Sequence, residues 1–500
     1  MMNEEALLNQ VLSKAKSWTN PPHDDETREF VKSLINRCES DQIARETLID
    51  SFYTDLSFGT GGMRGKMGPG TNRINATTIA NATQGLANHL LKRNNQPTSG
   101  EKLKVAIACD SRHRSQEFAQ ITAEVLAANG LEPWIYPELR PTPQLSWTVR
   151  ELGAVGGVVV TASHNPPEYN GYKVYGSDGG QVVFPEDAQL VEEVREFGTQ
   201  KEAPRSTEGI RVLDASWDKR YRDMLQTFCL SQDLANHGSD MPIVYTGLHG
   251  TGGISVPAAL AAFGFRNVHE VPEQAQPDGA FPTVKSPNPE EGPALAMAVQ
   301  LAKELNASLV MGTDPDSDRV GLAVPNGEGE YLLLNGNETA VLLVDHVLSK
   351  WKEVGRLNQP SFIAKTIVTT NLLVEVAEHY QVMVRETLTG FKHIAAAIRD
   401  EEGSAQYVAG GEESYGYLVG DCVRDKDAVQ SCCLLSELAH ELEQQGQGML
   451  DRLAEIHRRH GAYKEGLVSL VKEGREGKAQ IDEMIRGFRE SPPSELAGEK

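Results

Sequence analysis

Residues 161–175 read Thr161-Ala162-Ser163-His164-Asn165-Pro166-Pro167-Glu168-Tyr169-Asn170-Gly171-Tyr172-Lys173-Val174-Tyr175. The apolar run Val158-Val159-Val160 before them predicts a buried parallel strand. Asn-Pro-Pro beyond Ser163 continues neither strand nor helix. Ser163 is thereby mounted at the exit of a rigid strand, beside His164 and ten residues before Lys173. Such a hydroxyl suits a nucleophile that carries phosphate, with cations near the charge it would bear. Capping a turn or helix is the other use of a serine before Asn-Pro.

A second strand-like run, Leu309-Val310-Met311-Gly312, leads into Asp314-Pro315-Asp316-Ser317-Asp318-Arg319. Three carboxylates at alternate positions can converge on one hard cation, with Pro315 stiffening the loop between them. A calcium hand is excluded, because its glycine and closing glutamate positions hold Arg319 and Pro325. Three ligands leave a small cation short of its shell, and a phosphorylated serine would supply a fourth oxygen. A solvated acidic turn is the competing reading. A third segment, Gly410-Gly411-Glu412-Glu413-Ser414-Tyr415-Gly416-Tyr417, places a carboxylate and a hydroxyl two residues apart on a glycine-flanked turn. That spacing suits bidentate reading of vicinal sugar hydroxyls, or simply a polar turn in water.

Together these segments resemble the α-D-phosphohexomutase family, the phosphoglucomutases and phosphomannomutases. Thr161–Pro166 is similar to the family's phosphoserine loop, Asp314–Arg319 to its magnesium loop and Gly411–Ser414 to its sugar loop, in the family's order. Phe58-Gly59-Thr60-Gly61-Gly62-Met63-Arg64-Gly65 resembles the N-terminal active-site loop, and Thr389-Gly390-Phe391-Lys392 the specificity loop. Arg424-Asp425-Lys426-Asp427 resembles the segment with a lysine beside the transferred phosphate. The likeness runs from about Leu56 onward and is nearest the branch of bacterial phosphoglucomutases and phosphopentomutase-like enzymes.

The resemblance implies a phosphosugar mutase interconverting glucose 1-phosphate and glucose 6-phosphate. Phosphorylated Ser163 would give its phosphoryl group to a sugar monophosphate, and the bisphosphate would turn round and return its other phosphate. It implies Mg2+ on Asp314, Asp316, Asp318 and a Ser163 phosphate oxygen, with glucose 1,6-bisphosphate as activator. Arg64 and Lys426 would handle the hydroxyl proton and the phosphoryl oxygens, a desolvated Lys426 having a pKa low enough for a base. Lys173 and His164 would neighbour the phosphoserine, with a purely structural His164 as the alternative. Thr60, Arg319, Thr389, Gly390, Lys392, Glu412 and Ser414 would bind substrate. Phe391 is expected in the core, and Asp110-Ser111-Arg112 as support around the serine. Phosphomannomutase, phosphopentomutase, or a module that binds Mg2+ and phosphosugar without completing the isomerisation are the alternatives.

The elements that must position these loops repeat in type. Strands expected near 104–108, 133–136 and 156–160 deliver Ser163. Those near 242–245, 268–271 and 308–312 deliver Asp314, and those near 362–364, 382–387 and 406–409 deliver Glu412. Helices are predicted over 115–129, 143–152, 254–263, 293–305, 371–379, 391–400 and 427–446, with polar amphipathic helices over 3–52. Ligand loops at the carboxyl ends of strands are the rule for open α/β sheets. The expected fold is α/β, with three successive α/β/α mixed-sheet domains round a central cleft, at 1–210, 211–335 and 336–456. The start of a smaller α+β fourth domain is expected at 457–500, with a strand at Glu465–Val471 and an apolar stripe at Ile481, Met484, Ile485 and Phe488. The family's phosphate-gripping Ser-Gly-Thr loop does not occur after Lys426, so that domain is expected to be truncated, the stripe promoting self-association.

The bulk composition agrees with a multidomain globular chain: 500 residues, 39% hydrophobic and 24% charged. A net charge of −22 argues against nucleic acid. Six cysteines without framework spacing, an acidic N-terminus and no apolar run of membrane-spanning length point to a cytoplasmic protein. The expected partners are small-molecule phosphosugars, with no nucleic acid and no membrane, the chain being a monomer or weak dimer.

Overall fold

A computed structural model describes residues 4–58, 62–94, 100–198, 202–468, 470, 472 and 474–495. They fall into two compact units, one from Met1–Asp55, Gly68–Arg73 and Lys464–Lys500, the other from Leu56–Met67 and Ile74–Tyr463. In the first, helices Glu4–Ser17, Asp25–Arg37 and Gln42–Phe52 enclose a small core with Val11, Trp18, Val31, Leu48 and Phe52. Asp24 and Asp41 cap two of them by accepting from backbone N–H groups. The expected strand Glu465–Val471 is not formed: its described residues pair with nothing and expose Leu467, Val468 and Leu470. Helix Gly474–Glu490 exposes Met484, Ile485 and Phe488 from the predicted stripe.

The second unit carries three mixed sheets. The first holds β1 (Gly62–Lys66), β2 (Lys104–Cys109), β3 (Glu132–Ile135), β4 (Gly156–Val160), β5 (Tyr169–Gly176) and β6 (Arg211–Val212), in the order β1-β5-β4-β2-β3-β6. The second holds β7 (Ile243–Thr246), β8 (Val268–Glu270), β9 (Leu309–Thr313), β10 (Val320–Pro325) and β11 (Tyr331–Leu334), ordered β11-β10-β9-β7-β8. The third holds β12 (Ser361–Thr366), β13 (Met383–Thr387), β14 (Gln406–Glu412) and β15 (Gly416–Val419), ordered β13-β12-β14-β15. Four strands run parallel in the first sheet (β4, β2, β3, β6) and three in each of the others, and in every sheet the third parallel strand in sequence hands the chain to an antiparallel neighbour: β4 to β5, β9 to β10, β14 to β15.

Strand periodicity explains the layering. Val105, Ile107 and Cys109 of β2 face one core with helices Ala76–Arg93 and Ser115–Ala128. Ala106 and Ala108 face a second core with Leu145 and Val149 of helix Thr142–Leu152. Likewise Ile243 and Tyr245 of β7 enter one core while Val244 enters another beside Ala298 and Ala302. Sheets buried on both faces read as continuous apolar runs, which is why these strands are legible in the sequence. Helix Met449–His460 runs through the expected boundary at 456/457 and buries Ile456 in the large shared core.

Candidate active site

The returns from β4 to β5, from β9 to β10 and from β14 to β15 hold the residues singled out in the sequence. Each turn contains a non-glycine residue in the left-handed region: Ser163 (φ 54°), Ser317 (φ 55°) and Tyr415 (φ 65°). Such backbone is tolerated only where surrounding contacts impose it.

Around Ser163 those contacts are dense. Its N–H donates to Thr161 Oγ1 at 2.8 Å, and the Thr161 hydroxyl donates to buried Asp110 at 2.6 Å. Pro166 and Pro167 bring no N–H, and within the loop the Asn165 N–H reaches the Ala162 carbonyl (3.2 Å) and the Tyr169 N–H the Pro166 carbonyl (3.1 Å). Arg112 adds the larger share, donating to the carbonyls of Ser163 (2.6 Å), Pro166 (2.8 Å), Tyr169 (2.9 Å) and Asn165. The Ser163 hydroxyl lies 2.8 Å from Asp314 Oδ2, to which it donates, and 3.1 Å from His164 Nδ1. Burial, with the charges of Arg319 and Arg64, pushes the His164 pKa down to about 3. Burial thus favours the neutral imidazole beside the serine.

The carboxylates of Asp314, Asp316 and Asp318 converge, with ligand oxygens within 4.8 Å of one another, and all three residues are buried. Asp314 Oδ1 accepts the N–H groups of Asp318 (3.1 Å) and Arg319 (3.0 Å). Asp316 Oδ2 accepts from Thr142 Oγ1 and Lys173 Nζ, both at 2.8 Å. Asp318 Oδ2 takes Lys173 Nζ at 3.0 Å and Lys426 Nζ at 3.1 Å. Asp316 Oδ1 and Asp318 Oδ1 are buried without a hydrogen-bond partner. Two orphaned carboxylate oxygens in an all-oxygen cluster fit a hard divalent cation such as Mg2+, and a solvated acidic turn is excluded by the burial. Burial and the other two carboxylates hold Asp314 well above the usual carboxylate range. Burial also opposes ionisation of Asp318, but Lys173 and Lys426 outweigh it and hold its pKa down.

The loop is braced from below by Gly247-Leu248-His249-Gly250-Thr251 after β7. Thr251 donates from its N–H (2.8 Å) and its hydroxyl (2.9 Å) to the Pro315 carbonyl. A Cβ on Gly250 would stand 2.4 Å from Pro315 Cα, so only glycine admits that approach.

Lys173 and Lys426 both reach the triad. Lys173 sits on β5 and pairs with Asp316 and Asp318. Lys426 lies between Asp318 (3.1 Å) and Asp425 Oδ1 (3.2 Å), its ammonium 5.6 Å over the Phe391 ring. Burial alone would lower its pKa, but Asp318, Asp425 and Glu412 raise it above the ordinary lysine value. Lys426 is thus held as a cation between Asp318 and Asp425. Asp425 is itself fixed by Tyr175 and Gln181, each at 2.8 Å.

Glu412, also buried, accepts the Gly390 N–H at 2.9 Å and so joins the sugar and specificity loops. Burial raises its pKa against the pull of Lys426. Phe391 is in the core, as expected. Arg64, exposed on β1, donates to Asn165 Oδ1 at 2.9 Å, and Arg319 pairs with Glu290 while its Nε stands 3.9 Å from Asp318. Ser414 and Lys392 are half-buried and Thr389 exposed, with no hydrogen bond into this network among the described residues. Thr60 lies outside the described residues. Sequence reasoning missed Thr142, Thr161, Thr251 and Asp425 as site builders. The glycine-rich run after β7 was the available signal for Thr251; the others are ordinary residues whose role exists only across domains or turns.

Three family models match consecutively: phosphoglucomutase/phosphomannomutase alpha/beta/alpha domain I over residues 55–201, domain II over 219–327 and domain III over 335–458. The chain belongs to the phosphoglucomutase/phosphomannomutase family. A phosphoglucomutase of Staphylococcus haemolyticus is 37% identical over 458 residues, 90% of this chain and 80% of that protein. One of Staphylococcus epidermidis is 37% identical over 473 residues, covering 94% and 84%. The fold is shared with a Burkholderia thailandensis protein of the phosphoglucomutase/phosphomannomutase family, with a TM-score of 0.64 at 18% identity, covering 81% of this chain and 80% of that one. It is shared too with Paramecium parafusin, a phosphoglucomutase in its open form, with a TM-score of 0.64 at 17% identity, covering 82% and 75%. Ser163 lies within the range matched by domain I, the aspartate triad within that of domain II and Glu412 within that of domain III.

Proposed function

We propose that this chain is a phosphoglucomutase, moving a phosphoryl group between the 1- and 6-hydroxyls of glucose through phosphorylated Ser163 and a bisphosphorylated sugar. The observation that carries this reading is the Ser163 hydroxyl 2.8 Å from Asp314, in a triad with two orphaned carboxylate oxygens. A nucleophile against a hard-cation cluster is arranged for phosphoryl transfer, where positioning and charge neutralisation carry catalysis. The staphylococcal relatives named phosphoglucomutase favour glucose. Asp314, Asp316, Asp318 and a phosphoserine oxygen would hold Mg2+, which when bound supplies charge neutralisation at the transferred group. Lys426 and Arg64 hold phosphoryl oxygens as cations, Lys173 balances the triad, and neutral His164 orients the Ser163 hydroxyl. Glu412 and Ser414 read sugar hydroxyls that occupy the same places in both substrate orientations. Thr60, Arg319, Thr389, Gly390 and Lys392 complete the substrate contacts, and glucose 1,6-bisphosphate primes Ser163.

The test is a coupled assay with glucose 1-phosphate, a trace of glucose 1,6-bisphosphate and Mg2+, reading glucose 6-phosphate formation. The reading requires magnesium-dependent turnover that exceeds turnover of mannose 1-phosphate or ribose 1-phosphate. Preference for either of those would replace glucose, and turnover of none would remove the assignment.

A further inference from the structure

The unused oxygens of the triad are distributed by rule. Each of Asp316 and Asp318 has one carboxylate oxygen occupied by two donors and the other buried with none. For Asp318 both donors are ammonium groups. For Asp316 one is Lys173 and the other is a neutral hydroxyl, Thr142 Oγ1, fully buried at the start of helix Thr142–Leu152 in the first domain. The same residue's N–H donates to the Asp316 carbonyl at 2.9 Å. Thr142 therefore grips Asp316 at both backbone and side chain, from a domain that contributes no aspartate to the triad.

We propose that Thr142 is a positioning residue for the metal site: by occupying Asp316 Oδ2 it turns Oδ1 toward the cation, and so couples the first domain to metal affinity. The proposal rests on the reading of the triad as a metal site given above. A carboxylate free to rotate about its terminal bond presents either oxygen, and lysine alone, a flexible point charge, does not fix which. The hydroxyl adds a second, directional bond on the same oxygen, and the backbone bond removes the remaining freedom of the loop. Outer-shell partners of this kind typically set about 10- to 100-fold in metal affinity.

The experiment is Mn2+ binding to the full chain, followed by the EPR signal of the free ion, in wild type and in Thr142→Val, Thr142→Ala and Thr142→Ser. Thr142→Val keeps the volume and removes the hydroxyl, and Thr142→Ala covers the case in which valine does not fold. The expected result is a dissociation constant raised about tenfold or more in the hydroxyl-free variants and restored in Thr142→Ser. At saturating metal, the KM for glucose 1-phosphate should stay near wild type. Wild-type Mn2+ affinity in a folded Thr142→Val or Thr142→Ala chain overturns the proposal, as does a Thr142→Ser chain as weak as the alanine variant. A wild-type chain that binds Mn2+ but turns over no sugar phosphate would remove the mutase reading while leaving this inference standing, whereas one that binds no Mn2+ overturns the inference itself.

Discussion

Gly416 opens β15 directly across from Glu412, and the stem of Lys426 passes over its bare Cα. A methyl there would meet Lys426 Cδ at 2.0 Å, Cγ at 2.8 Å and Cε at 3.1 Å. Among the described glycines Gly416 is not one with positive φ, so Gly416→Ala adds a clash without backbone strain. Relief from 2.0 Å to an ordinary 3.4 Å contact needs a retreat of about 1.4 Å. Nζ already lies at 3.1 Å from Asp318 and 3.2 Å from Asp425, so the same shift breaks both contacts. Breaking a buried ion pair costs about 3–5 kcal/mol, offset by roughly 0.4–1 kcal/mol from the stiffer unfolded chain. A displacement of this size at the reacting group lowers rate by about 10²-fold. The assay is kcat/KM for glucose 1-phosphate at saturating Mg2+, with urea unfolding in parallel. Combined with Lys426→Met, Gly416→Ala should add almost nothing further, because both act through one ammonium. Wild-type kcat/KM in a folded Gly416→Ala chain would refute the role given to Lys426.

Other changes have equally definite expectations. Asp316→Asn should raise the Mg2+ concentration for half-maximal activity at least tenfold and lower metal-free thermal stability, since buried Lys173 loses one of its two carboxylate partners; equal activity in limiting Mg2+ would contradict this. Glu412→Gln keeps an acceptor for the Gly390 N–H but loses the charge, so transition-state binding should weaken by about 1.5–3 kcal/mol with phosphorylation of Ser163 intact. Burial raises the Asp427 pKa to about 6 while it accepts from Tyr221 (2.7 Å) and from the Gln430 N–H (2.8 Å). The folded state then holds the proton more tightly than the unfolded chain, so stability from this group falls as pH rises from about 4 to about 6 and stays lower above. Asp427→Asn should gain up to about 3 kcal/mol relative to wild type at pH 7.5 and little at pH 4, and equal differences at both would disprove the assignment.

The parallel strands and their loops were legible because doubly buried strands are written as apolar runs ended by turn residues, as at Val158–Val160 and Leu309–Gly312. The antiparallel returns were not. β5 reads Tyr169-Asn170-Gly171-Tyr172-Lys173, a polar string that becomes a buried strand only through Thr83 on Tyr172 and the aspartates on Lys173. The same blindness hid the ion pairs that Lys173 and Lys426 make with the aspartates. Residue type and spacing announce a lysine near phosphate, but whether it is base or cation depends on Asp318, Asp425 and Glu412 from three separate turns. The left-handed Ser163, Ser317 and Tyr415 were equally hidden, since nothing in a serine or tyrosine announces that its surroundings will impose such a backbone.

The central claim is that Ser163 is the group that carries the phosphoryl. Intact-mass analysis of the chain after exposure to glucose 1,6-bisphosphate, followed by peptide mapping, tests it most directly. The account predicts one added phosphate, located on Ser163, absent from a folded Ser163→Ala chain that has also lost turnover. A phosphate mapped to any other residue, or a Ser163→Ala chain that still turns over, would contradict it.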